Sequence, residues 1–160
     1  MADKENKVRF NINNWTYEDF VKFSQATRVG DNDTLFDLAA QIIVGWDYAV
    51  DLSVSEPLME LGVIESGKVI SSIFDTITKV SEDVSTEGVV VDFSKWTTRR
   101  FLEFDGLRRD GKIRKAEEMM FEIVKLDGWE NKDQRLSFID GSRAVKAVNE
   151  AYKKLVTGKA

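Results

Sequence analysis

Apolar and polar positions change their period in a set order along this chain, and the order occurs twice. Val8, Phe10 and Ile12 alternate with Arg9, Asn11 and Asn13, a period-two pattern that predicts a short strand. Helical spacing follows. Thr16 with Asp19 forms a capping box and places Phe20 and Phe23 on one helix face. Asn32 or Asp33 can cap a second helix whose apolar stripe is Leu35, Leu38, Ala39, Ile42 and Ile43. Gly45 fits the end of that helix. Pro57, tolerated only in a first turn, starts a short helical turn after Ser55. A long helix then carries Val69, Ile70, Ile73, Phe74 and Ile77.

The second half follows the same course. Val89, Val91 and Phe93 alternate, then Ile113, Ala116, Met119, Met120, Ile123 and Val124 form a helical stripe, with Gly128 at its end. Ala144, Val145, Val148, Tyr152 and Leu155 mark the last helix. The four tryptophans register the two halves. Asn14-Trp15-Thr16 aligns with Lys95-Trp96-Thr97, each followed by a Phe-x-x-Phe pair: Phe20 and Phe23, Phe101 and Phe104. Gly45-Trp46-Asp47 aligns with Gly128-Trp129-Glu130, after a small insertion. Leu61-Gly62-Val63-Ile64-Glu65 aligns with Leu136-Ser137-Phe138-Ile139-Asp140. The expected fold is therefore mostly α with a minor β component, two copies of a strand-plus-helices repeat related by a pseudo-twofold. Residues 8–80 form the first repeat, 81–88 a polar linker and 89–156 the second. A flexible N-terminus (1–7) and a tail (157–160) flank them. The two opening strands are expected to pair across the copies, backed by helices because so small a sheet does not stand alone.

Composition narrows the chemistry. With 160 residues and 42% apolar content the chain can bury a core. No apolar run reaches the roughly 18 residues that span a bilayer, and the charged start Met1–Lys7 lacks a signal peptide's apolar stretch. A cytoplasmic location is expected, the host cytoplasm if the protein is viral. With no cysteine there is neither a disulfide nor a thiolate metal site. The absence of histidine removes the commonest general base and metal ligand. No catalytic, cofactor-binding or metal-binding residue is assigned, and the chain is expected not to be an enzyme.

Charge is distributed unequally. Residues 1–87 hold 7 basic and 16 acidic side chains, net −9; residues 88–160 hold 16 and 12, net +4. Such polarity could favour head-to-tail self-association or orient a partner, but ordinary surface variation between two diverged copies is the preferred reading. The basic residues of the second half, among them Arg99, Arg100, Arg108 and Arg109, could neutralise phosphates. Interleaved Glu103, Asp105 and Asp110 favour a solvated helix face instead, and nucleic acid is not the expected partner. Trp46 and Trp129 follow glycines in apparent loops, where a tryptophan is either a core plug or an interface anchor. These six residues are the candidate partner-binding positions.

Two motifs fail on inspection. Gly62-Val63-Ile64-Glu65-Ser66-Gly67-Lys68 has the spacing of a phosphate-binding loop, but Val69 stands where a magnesium-binding hydroxyl is needed. Asp31-Asn32-Asp33 begins like a calcium loop, yet its glycine comes before it, and a turn with a helix cap is the better reading.

The sequence of elements resembles the tail assembly chaperones of long-tailed bacteriophages. The resemblance is carried by Phe10 through Thr78, especially Ile42-Ile43-Val44-Gly45-Trp46-Asp47 and Ser55-Glu56-Pro57. The second half keeps Val91-Asp92-Phe93-Ser94-Lys95-Trp96-Thr97 but lacks the proline, and the tandem duplication is itself a departure. The resemblance implies a non-enzymatic chaperone, without cofactor, that holds a helical, aggregation-prone client such as a tape-measure protein in an apolar groove. The alternative expectation is a small acidic regulator or inhibitor of a host nucleic-acid-binding protein. A nucleotide-dependent enzyme is a third and weaker one.

Overall fold

The structure is a computed structural model that describes residues 8–129 and 136–157. The expected N-terminal segment, nearly all of the expected tail and Glu130 lie outside the described residues. Six helices and two small antiparallel sheets make up these residues, so the protein is mostly helical with minor β structure. Strand β1 (Val8–Phe10) leads through a 3-10 turn into α1 (Tyr17–Val29), α2 (Asn32–Ile42) and β2 (Ile43–Trp46). A loop with a second 3-10 turn at Pro57–Glu60 precedes α3 (Val63–Asp83). The order then recurs: β3 (Val90–Val91), a 3-10 turn, α4 (Thr98–Arg109), α5 (Ile113–Met120), β4 (Val124–Lys125) and α6 (Phe138–Thr157).

Local chemistry explains the boundaries. The Thr16 hydroxyl accepts from the Asp19 amide at 3.1 Å, and the Asp19 carboxylate accepts from the Thr16 amide at 3.0 Å, the reciprocal capping box. Thr97 caps α4 by accepting from the Arg100 amide, but arginine cannot return the bond. Helix α1 ends at Gly30, and α4 gives way to α5 through Gly111, with φ of 74° and 75° that only glycine adopts without strain. The cap of α2 is Asp31, whose carboxylate accepts from the Thr34 amide, not Asn32 or Asp33. Gly45 does not end a helix either. It lies in β2 opposite Arg9, whose guanidinium occupies the space a β-carbon would need.

The strands do not pair across the halves. Val8 lies opposite Trp46 in β1–β2, and Val90 opposite Lys125 in β3–β4, so each sheet closes inside its own half. Each opening strand meets the chain segment that directly follows its own helical pair, which is the shorter loop to close. The residue after each opening strand donates at the corresponding place: Asn11 to the Ile42 carbonyl at 2.7 Å, and Asp92 to the Ile123 carbonyl at 2.9 Å.

Two apolar cores result. The first contains Trp15, Phe23, Leu38, Ile42, Trp46, Val69, Ile73 and Ile77. The second contains Phe104, Ala116, Met119, Met120, Val124, Ala144 and Val148. Trp15 tilts against Phe23 at 4.9 Å and 43°, and Trp96 against Phe104 at 5.1 Å and 45°. Helix α6 joins the cores, for Ala144 and Val148 face the second while Phe138 is buried in the first. The expected linker is partly helical, since α3 runs to Asp83. Its remainder is held by α6: Lys146 donates to the carbonyls of Glu82 and Val84, and Arg143 to those of Ser85 and Glu87.

Candidate protein-interaction surface

The first half is covered along α1 by the second. Thr16 and Ser137 form an antiparallel bridge, in which the Tyr17 amide donates to the Leu136 carbonyl at 2.9 Å and the Phe138 amide to the Trp15 carbonyl at 3.2 Å. The Phe138 ring meets Phe20 edge-on at 4.9 Å. Tyr17 lies so close over Gly141 that a β-carbon there would overlap its ring. The Tyr17 ring also meets Phe121 edge-on at 5.5 Å. Burial, then the neighbouring Glu117 carboxylate, pushes the Tyr17 hydroxyl well above its ordinary range. Burial likewise raises the Glu117 carboxyl, and the hydrogen bond from Tyr17 only partly offsets it. Arg114 completes the junction by donating to the Gln25 side chain at 2.9 Å.

Helix α4 has no such cover. Thr98 is exposed, Trp96 and Phe101 are half-buried, and Leu102 is 60% exposed. Phe101 stacks on Tyr152 of α6 at 6.0 Å, and beyond it Leu155 and Val156 are exposed as well. Leu102 on α4 and Leu155 and Val156 on α6 thus stand exposed on the two helices joined by the Phe101–Tyr152 stack. Isolated exposed leucines are ordinary, but a contiguous group next to half-buried aromatics marks a surface that takes a partner. A second exposed pair stands at the start of α3: Val63 at 88% and Ile64 at 72%.

The arginines expected to bind a partner are largely committed to their own half. Arg100 forms ion pairs with Glu103 and Glu122. Arg109 pairs with Asp105 at 2.8 Å. Arg108 lies over the Tyr152 ring at 4.4 Å. The Tyr152 hydroxyl donates to Asp105, the main reason its carboxyl sits below the usual range. Arg99 alone among the four is an exposed residue of α4 without an ion pair among the described residues. Trp46 is buried at the end of β2, with its indole N–H donating to the Val50 carbonyl at 2.8 Å. Trp129 is half-buried in the turn after β4, edge-on to Phe121. The six candidate residues therefore do not form one site. The exposed part, Leu102 on α4 with Leu155 and Val156 on α6, escapes sequence reasoning, because their spacing alone marks them as core.

The phosphate-loop spacing is realised as helix. Gly62 precedes the first turn of α3, the Ser66 amide donates to the Gly62 carbonyl at 3.0 Å, and Gly67 and Lys68 continue the helix. Those amides are not gathered round an anion. Among the described residues no group of His, Cys, Asp or Glu is placed to hold a metal ion, and no helix is long and apolar enough to cross a membrane. No known protein family, curated protein or solved structure matches the chain.

Proposed function

We propose that this chain is a non-catalytic assembly chaperone of the phage tail type, a tandem duplicate that takes a helical segment of an aggregation-prone client on its α4 surface. The carrying observation is the exposure of Leu102, Leu155 and Val156 around the half-buried Phe101, where Val21, at the place on α1 that corresponds to Leu102, is partly buried. An amphipathic client helix would bury these residues with anchors spaced by three or four residues. The resemblance of Ile42–Asp47 and Ser55–Pro57 to tail assembly chaperones makes a tape-measure protein the leading client. Duplication is supported by the counterparts Asn11/Asp92, Trp15/Trp96, Phe23/Phe104, Gly30/Gly111 and Ile42/Ile123, all separated by one unchanging interval.

The test is recovery of partners from cells expressing the gene together with its genomic neighbours, for the wild type and for Leu102→Asp. A long helical protein held by the wild type and lost from the variant is the expected result. Retention by the variant would overturn it. Client affinity should change little with salt, because apolar burial drives it. Tight binding of random DNA that falls steeply with salt and depends on Arg99, Arg100, Arg108 and Arg109 would replace this reading with a nucleic-acid role. The acidic-regulator alternative draws on a shallow groove edged by Asp33, Asp37 and Glu56; recovery of a basic host protein that is lost on neutralising those three would favour it.

A further inference from the structure

We infer that, in the free protein, the α4 face of one copy is filled by the start of α3 of a second copy, head to tail, in the arrangement that α1 and α6 adopt inside each chain. With α4 taken as a protein-docking surface, as proposed above, this names its occupant when no client is present.

The internal junction supplies the template. Its parts are the Thr16–Ser137 bridge, the Phe20–Phe138 ring contact and the close approach of Tyr17 to Gly141. The corresponding residues are Thr97 with Gly62, Phe101 with Val63, and Thr98 with Ser66. These do not meet within the chain. No backbone bond joins Thr98 to Leu61 or Val63 to Trp96 among the described residues, and Val63 and Ile64 project into solvent. Each molecule thus carries both halves of one junction, not joined to each other, at different places on its surface. A two-fold relation between the halves would have brought them together; of the two corresponding junctions, the described residues form the one between α1 and α6.

The two bare surfaces fit each other in volume and charge. Inside the chain a large Tyr17 requires Gly141. At the corresponding positions a smaller Thr98 would face Ser66, so the extra side-chain atoms on one side are balanced by fewer on the other. Charge is exchanged in the same way. Helix α4 carries Arg99 where α1 carries Glu18, and the half that contains α3 is net acidic. Two α4 faces would set Arg99 against Arg99, whereas α4 against the acidic first half sets opposite signs together. The contact joins unlike patches, so every added copy leaves one of each free, and growth ends only in a ring or continues as a filament.

The absence of cysteine permits a direct test. Two full-length variants, Val63→Cys and Leu102→Cys, are each made and treated with a short thiol crosslinker, alone and mixed. Crosslinked dimer should form in the mixture and not in either variant alone. In parallel, sedimentation of the wild type should show mass rising with concentration, and Leu102→Asp should weaken association at least about tenfold, since it would bury a charge without a partner. Leu102 is exposed, so both variants should keep the wild-type circular dichroism spectrum. Crosslinks within Val63→Cys alone or Leu102→Cys alone, or a wild type that stays monomeric at all concentrations, would overturn the head-to-tail contact. Titration of an amphipathic leucine-rich helical peptide separates the two readings. A monomeric chain that binds this peptide through Leu102 loses only the self-association; a self-associating chain whose Leu102→Asp variant binds the peptide unchanged loses only the client-docking reading.

Discussion

Helices α3 and α6 are the last helices of the two halves, and their first residues have opposite fates. Phe138 is sealed in the first core, against Phe20, whereas Val63 stands almost wholly in solvent. Both are apolar residues at the first helical position. What separates them is the surface opposite. The start of α6 meets α1, whose outer face is aromatic, while the first residues of α3, Val63 and Ile64, lie exposed. An apolar residue's contribution therefore depends on its neighbour across the junction rather than on its own position in the helix, and substitutions at paired positions measure that difference.

The largest effect is expected from Phe138→Ala, which opens a cavity beside Phe20 and should cost about 3–5 kcal/mol in urea denaturation. Val63→Ala in monomeric protein should cost less than about 0.5 kcal/mol. Equal losses at the two positions would break the comparison. Next comes Gly141→Ala, whose added carbon meets the Tyr17 ring and should destabilise by about 1–3 kcal/mol. Ser66→Ala at the matching place should be nearly neutral. Thr16→Ala removes a reciprocal cap and should cost about 1 kcal/mol. Thr97→Ala should cost less, because α4 has only the forward bond. A thermal melt resolves these two.

The smallest change expected is one of slope. Burial holds the folded-state pKa of Glu117 above its unfolded value, so the native chain binds the proton more tightly. This group therefore stabilises the fold on the acid side and progressively loses that contribution as pH rises from the ordinary glutamate value through the raised one. Glu117→Gln should raise stability near neutral pH and flatten the dependence across that window. A variant whose stability falls at neutral pH would show instead that the carboxylate is well accommodated beside Tyr17.

Much of the local structure was legible in the residues. Thr16 and Asp19 announced their capping box, and the stripes through Val69, Ile73 and Ile77 and through Ala144 and Val148 did become core. The capping residue of α2 was misplaced because Gly30 ends α1 early enough for Asp31 to serve the next helix. Alternation at Val8–Ile12 gave a strand but not its partner, since period-two spacing says which faces alternate and nothing of what lies alongside. Gly45 read as a helix end because the reason for a glycine there, the Arg9 guanidinium across the ladder, is distant in sequence. The exposed surface was hidden for a related reason. Leu102 has the same spacing as Val21, and only its exposure in the fold distinguishes it.

The burial of Phe138 in the first core also bears on how the protein is made. A ribosome releases the chain from its N-terminus, and domains ordinarily fold as they emerge. Here the first half can form its helices and its small sheet early, yet its aromatic face at Tyr17 and Phe20 stays uncovered until the beginning of α6 has been synthesised. For most of translation the nascent chain therefore displays a sticky surface of its own. A stop codon placed after α5 should yield a product that aggregates or is degraded, even though it contains every helix of the first half.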